Sequence, residues 1–247
     1  QSTSAGNATG LTTAQMQGQA ARTNMSGFDF DNTWITTSEY PALRALSETD
    51  KGSDSGPIQV DVDPSDLPGD GSESTPYEIS NVSELQAMED DLDANYELVS
   101  DIDASDTAQF NDGRGFDPVG SFSESPAQPF RGSLDGNNNT VTGLTITRPS
   151  DSGIGLFGFT GSEATLTNVT LTGVNTTGDA SVGGLVGGNA GLIQNVTASG
   201  SVIGTDVLGG LVGINGRTIS DALAAAIVDG TDQVAGVVGR DGPASAA

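Results

Sequence analysis

The sequence has no cysteine and no histidine. The first absence rules out disulfides and thiolate metal sites, and the second removes the commonest general base and metal ligand. Basic residues number 8 against 33 acidic ones, and Lys51 is the single lysine. A formal charge of -25 excludes binding to nucleic acid through a basic surface and disfavours docking on anionic lipid. Aromatics make up only 5% and hydrophobics 34%, so large core side chains are scarce. No apolar run is long enough to cross a membrane and no signal peptide is visible. The chain begins at Gln1 without an initiator Met, which reads as a processed protein or a piece of a longer one.

What is present is small and acidic. Thirty-five glycines, with many Ser, Thr and Asn, favour tight turns and short strands over helical bundles. Charge repulsion on this scale weakens a compact fold in dilute salt. Molar salt shortens the Debye length to about 3 Å and screens it. Acid excess with lysine nearly absent therefore points to a halophile.

Four stretches differ in character. Residues 1–46 mix a helical pattern with aromatics and read as a small α/β terminal module. Residues 47–75 read as an acidic Gly/Ser/Pro linker. Residues 76–131 read as a cap and leader strands. There Asn81-Val-Ser-Glu84 fits a capping box, opening a helix with Val82, Leu85 and Met88 on one face, extending towards residue 93. Tyr96 to Ile102 then alternates like a strand.

Residues 132–247 carry an internal repeat. GIGLFG, GGLVG, GGLVG and AGVVG place Leu156, Leu185, Leu211 and Val237 at spacings of 29, 26 and 26. A second element starts at Val141, Leu166, Ile193 and Ile219, at spacings of 25, 27 and 26. In it an Asn, Gly or Asp interrupts the apolar alternation, as in Leu166-x-Asn168-Val169 and Ile193-x-Asn195-Val196. A residue able to adopt corner angles lets the apolar neighbours on both sides point inward. One unit of about 26 residues cannot close its own core, whereas stacked units can. The fold class expected is all-β: a parallel β-solenoid with rungs of about 26 residues and an N-terminal capping helix. Asn168, Asn195 and Asp221 should form a buried corner ladder, with Leu166, Ile193 and Ile219 in one inward column.

GGLVGGNAGLIQNVTASGSVIGT and VLGGLVGING resemble the GLUG repeat, named for its Gly-Leu-apolar-Gly core. PYEISNVSELQAMEDDLDANYELVSDIDAS looks like the leader of such repeats, and residues 8–43 resemble the segment that follows the last one. This resemblance implies a β-helical region of secreted or cell-surface, adhesin-like proteins and implies no activity. The terminator-like piece standing first suggests that residues 1–46 end a preceding array. Packing of that piece on an open solenoid end would give head-to-tail filaments.

The candidate sites are modest. Asp90/Asp91/Asp93, Asp101/Asp103 and Asp112/Asp117 could pair for glycosidase chemistry, with a solvated acidic surface as the competing reading. No catalytic residue is assigned, and no cofactor is expected. Calcium is the one plausible metal, and Asp61, Asp63, Asp66 and Asp70 form the densest oxygen cluster, without EF-hand spacing. Seven Asn-x-Ser/Thr sequons occur, of which Asn7, Asn138 and Asn175 are the glycan candidates. Phe28, Phe30, Trp34 and Tyr40 could stack on carbohydrate, or form the core of a small module. The expected function is a structural or adhesive surface segment without catalysis; a glycan- or cell-binding module, or a polysaccharide-active enzyme, are the alternatives. Expected partners are other surface proteins, glycans or copies of itself, not nucleic acid and not lipid.

Overall fold

A computed structural model describes residues 60–121 and 126–242, and the backbone of two strands before them. The chain divides into two compact units, Gln1–Ser55 and Gly56–Ala247. In the first, β1 (Trp34–Ile35) pairs antiparallel with β2 (Ala42–Leu43). The expected helical pattern of residues 1–46, the aromatic cluster there and Asn7 lie outside the described residues.

The second unit is a parallel β-solenoid. Its leader contains β3 (Tyr77–Ile79), β4 (Asn95–Leu98) and β5 (Ile102–Asp103). Four coils follow. The first is β6 (Ser133–Asp135), β7 (Thr140–Thr142), β8 (Thr145–Thr147) and β9 (Phe157–Thr160). The second is β10 (Thr165–Thr167), β11 (Thr170–Thr177), β12 (Ala180–Gly183) and β13 (Val186–Asn189). The third is β14 (Leu192–Ile203), β15 (Asp206–Gly209) and β16 (Val212–Asn215). The fourth is β17 (Ile219–Asp229), β18 (Asp232–Ala235) and β19 (Val238–Asp241). Each strand pairs in parallel with its equivalent one coil away, giving sheets of ten, three and four strands.

Period and register agree because the core demands it. Tyr96, Leu134, Leu166, Ile193 and Ile219 stack in one column, and Ile102, Val141, Leu171, Ala198 and Ala224 in another. A slip of one residue would turn each column to water. Leu156, Leu185 and Leu211 are buried, and the Leu185 amide donates to the Leu211 carbonyl at 3.0 Å, so these two sit in neighbouring coils. Val237 differs from them at 39% exposure, since no described residue stacks beyond its coil. Gly183 is a packing requirement: a Cβ there would strike the Val186 and Leu211 carbonyl oxygens.

The core tapers. Tyr77, Tyr96, Phe130 and Phe157 follow one another at ring separations of 5.7, 6.3 and 4.9 Å at the N-terminal end. Ala222, Ala224 and Ala226 occupy the inner face of β17, while Leu223 and Ile227 face outward at 58% and 75% exposure.

The cap is shorter than its apolar stripe suggests. Helix α1 covers Val82–Gln86 and passes into a single 3-10 turn, Ala87–Glu89. Asn81 Oδ1 accepts from the Ser83 and Glu84 amides, both at 3.1 Å. Glu84 reaches past the expected Asn81 amide and accepts from the Ser80 amide (2.8 Å) and hydroxyl (2.7 Å). Residues 60–75 are also more ordered than a linker composition suggests. Pro64 and Leu67 are buried, and the Glu78 and Asn95 amides donate to the Pro68 and Gly71 carbonyls. Two apolar anchors and backbone bonding suffice because the solenoid supplies the surface.

Candidate functional site

The repeat builds amide ladders first. Asn168, Asn195 and Asp221 have φ of 55°, 52° and 51°, the left-handed region where Asn and Asp are tolerated. This corner lets Leu166 and Val169 both point inward, as do Ile193 and Val196. Asn195 Nδ2 donates to Asn168 Oδ1 at 2.8 Å, and Asn168 Nδ2 donates to Asp135 Oδ1 at 2.9 Å. The bonds thus run from side chain to side chain, on the outside of the corner. Asn168 is half-buried and Asn195 and Asp221 are exposed, which differs from the burial expected of all three, and the hydrogen-bonded ladder ends at Asn195 without reaching Asp221. The corner turns outward because both inward positions are already taken by apolar neighbours.

A second ladder is buried, and sequence reasoning missed it. Thr160 Oγ1 donates to Asn189 Oδ1 at 2.7 Å, Asn189 Nδ2 to Asn215 Oδ1 at 2.9 Å, and Asn215 Nδ2 to Asp241 Oδ1 at 3.1 Å. The available signal was the Asn in GGLVGGN and GGLVGIN, at the same position of successive repeats.

The other expected residues are scattered. Asp63 accepts from the Ser65 hydroxyl (2.7 Å) and amide (2.9 Å), and Asp70 from the Ser72 amide (3.0 Å). The Ser65 hydroxyl and then its amide hold the Asp63 carboxyl below its usual pKa, the Ser72 hydroxyl and then its amide do the same for Asp70, and both side chains act as local turn caps. Asp61 and Asp66 do not join them, and among the described residues no three His, Cys, Asp or Glu side chains are grouped to hold a metal ion. Asn138 is exposed in the turn between β6 and β7, and Asn175 is exposed on β11. Asp101 accepts from the Thr140 amide (2.8 Å) and Asp103 from the Ser105 amide (3.0 Å). Asp112 sits in a left-handed turn and, unlike Asp117, lines no groove with the other carboxylates.

Asp90, Asp91, Asp93 and Asp117 do come together, in a groove of about 720 Å³. Its walls are the chain after the cap, the segment around residues 117–121, and the loop between β8 and β9. Gln86 clamps two of these, its amide nitrogen donating to the Asp117 carbonyl and its oxygen accepting from the Asp117 amide, each at 2.9 Å. Glu89 joins the carboxylates. The residue as a whole is exposed, but burial of its carboxyl, then the charges of Asp117 and Asp90, push its pKa from 4.5 up to about 7, against the pull of Arg148. Arg148 lies on the groove's floor with its side chain 7% exposed. Its Nη2 is 3.1 Å from Asp117 Oδ1 and its Nη1 3.9 Å from Asp151 Oδ2. Arg114 pairs with the same Asp151 oxygen at 2.7 Å.

No family model matches this chain. Halomucin of Haloquadratum walsbyi is 40% identical over 143 residues, which is 56% of this chain and 2% of that protein. The chain is similar to a small stretch of a haloarchaeal protein. A protein of Evansella cellulosilytica, provisionally named a Gly-rich membrane protein, is 36% identical over 135 residues, 52% of this chain and 15% of that one. The chain therefore spans a minor part of the curated relatives it matches. Among solved structures, it is similar to a protein of Bacteroides ovatus provisionally named an immunoglobulin A1 protease. The TM-score is 0.50 at 19% identity, covering 70% of this chain and 64% of the other, a likeness of fold alone. The similarity to Halomucin and the parallel coil together fit a surface β-helical protein. Among the described residues no helix is long and apolar enough to cross a membrane.

Proposed function

We propose that this chain is a non-catalytic structural segment of an extracellular, salt-adapted surface protein, built from repeats of the GLUG type. The observation that carries this reading is where the repeat places its invested residues. Both repeat elements go into stacking: the apolar columns and the buried Thr160–Asn189–Asn215–Asp241 ladder run through the four coils, and the corner ladder joins the first three. A stalk needs that economy, because each coil is held by its neighbours. The similarity to Halomucin and the charge of -25 support a setting at the cell surface in brine. Adhesion, head-to-tail association and glycans at Asn138 and Asn175 belong to the same proposal.

Two experiments test it. Protease shaving of intact cells in molar salt should release peptides of residues 60–242, and their full protection would overturn the surface assignment. Reducing-end and lyase assays on acidic polysaccharides should remain at background. Turnover that Glu89→Gln abolishes would overturn the non-catalytic reading.

A further inference from the structure

The solenoid is covered at one end and open at the other. At the N-terminal end α1 and residues 60–71 pack on the core through Leu85, Leu67 and Val62, and the Pro68 carbonyl takes the Glu78 amide of β3. At the C-terminal end the outer edge of β17 pairs with no described strand. Beside it Ile219, Ala222, Val237 and Val238 help to line a hollow of about 610 Å³. Exposed large apolar side chains gather in this coil: Leu223, Ile227, Val234 and Val237, against Val99 and Ile203 elsewhere in the described residues.

The change is abrupt along the register. Thr170 and Thr197 precede Leu223 in one outward column, and Asn175 and Ser201 precede Ile227 in another. In these columns polar side chains face water on two strands, and apolar ones on the edge strand. An edge leaves amides and carbonyls unpaired, and proteins blunt such edges with charge, proline or a bulge. Between Asp221 and Asp229 β17 carries no charge, no proline and no glycine, and it keeps one register with β14. The five residues of this chain after Gly242 are too few to pair along its eleven.

We propose that β17 pairs antiparallel with β17 of a second copy, about a two-fold axis at Ala225. The strand is self-complementary around that point. Leu223 faces Ile227 of the copy and Ile227 faces its Leu223, a pair of apolar cross-strand contacts. On the inward face Ala222 meets Val228 of the copy and Ala224 its Ala226, with no large side chain to clash. A copy offers no other open edge as long among the described residues. Such an isologous contact closes after two copies. Its cost is Asp221 against Asp229 of the copy, like charges that molar salt screens. The inference does not depend on the surface setting. Head-to-tail association would use the same edge but grow without limit.

The test is analytical ultracentrifugation of the full chain from dilute to molar sodium chloride, together with cysteine cross-linking. A monomer–dimer equilibrium should appear in molar salt and weaken in dilute salt. Ile227→Glu should weaken it by about tenfold or more, because both apolar pairs are lost. Ile227 is 75% exposed, so the circular dichroism spectrum of this variant should not change. Ala225→Cys faces itself across the axis and should give a disulfide-linked dimer under mild oxidation in molar salt. Asn175→Cys, exposed two coils away, should not. Monomer at every salt concentration, growth beyond the dimer, a dimer that Ile227→Glu leaves intact, or equal cross-linking of the two cysteine variants would overturn the proposal.

Discussion

At the scale of single residues, asparagine does two different jobs in this chain. Asn195 holds a left-handed corner in the open, whereas Asn189 is buried between Thr160 and Asn215. Replacing Asn189 by Leu strands the polar groups on both sides and should cost roughly 2–4 kcal/mol in chemical denaturation. Asn195→Ala should cost about 1 kcal/mol, mainly from backbone strain, and Asn195→Gly should recover most of it. Glu89 predicts a pH effect of definite sign. Its folded pKa of about 7 lies above the usual 4.5, so the folded state binds the proton more tightly. Stability gained through Glu89 therefore grows as pH falls from about 7 towards 4.5 and is absent above 7. Melting temperatures across that window should rise towards acid in the parent and lose most of that slope in Glu89→Gln. The corner asparagines were legible in the sequence because they interrupt an apolar alternation. The buried ladder was not, since Asn189 and Asn215 close the glycine-rich element, after Gly188 and Ile214, and interrupt no apolar alternation. The groove's pairing of Arg148 with Asp117 was equally hidden, because 31 residues separate the two and only the coil brings them together.

At the scale of elements, burial pattern and backbone contacts decide what forms. The period of the Gly-Leu-apolar-Gly motif was enough to anticipate the stacking now seen in β12 to β19, though not the strand bounds, because equivalent apolar residues must stack or be lost to water. Gly183→Ala should cost more than about 2 kcal/mol, because its methyl group would strike backbone oxygens that cannot move independently. The N-terminal cap shows the opposite situation. Its start was readable from Asn81 and Glu84, but its length was not. The apolar stripe continues to Leu92 while the chain must already turn back into β4, so tertiary closure ends α1 at Gln86. Asn81→Ala should cost about 1 kcal/mol, a typical cap value. The order of residues 60–75 was illegible for a related reason: composition describes what a segment can bury alone, and Leu67 is buried by the solenoid.

At the scale of the whole molecule, charge and stacking act together. A chain at -25 gains from screening as salt rises, whereas its columns and ladders are local and depend on register. Unfolding midpoints should climb steadily between dilute and molar sodium chloride, and a flat response would remove the halophilic reading. Stacking itself can be read with engineered cysteines, because the native chain has none to interfere. Thr197 and Leu223 are outward-facing register partners on β14 and β17, while Ile227 lies four residues further along β17, roughly 13 Å away. Under mild oxidation Thr197→Cys with Leu223→Cys should form an intramolecular disulfide in the folded protein, and Thr197→Cys with Ile227→Cys should not. Efficient cross-linking of the second pair, or failure of the first, would contradict the stacked coil.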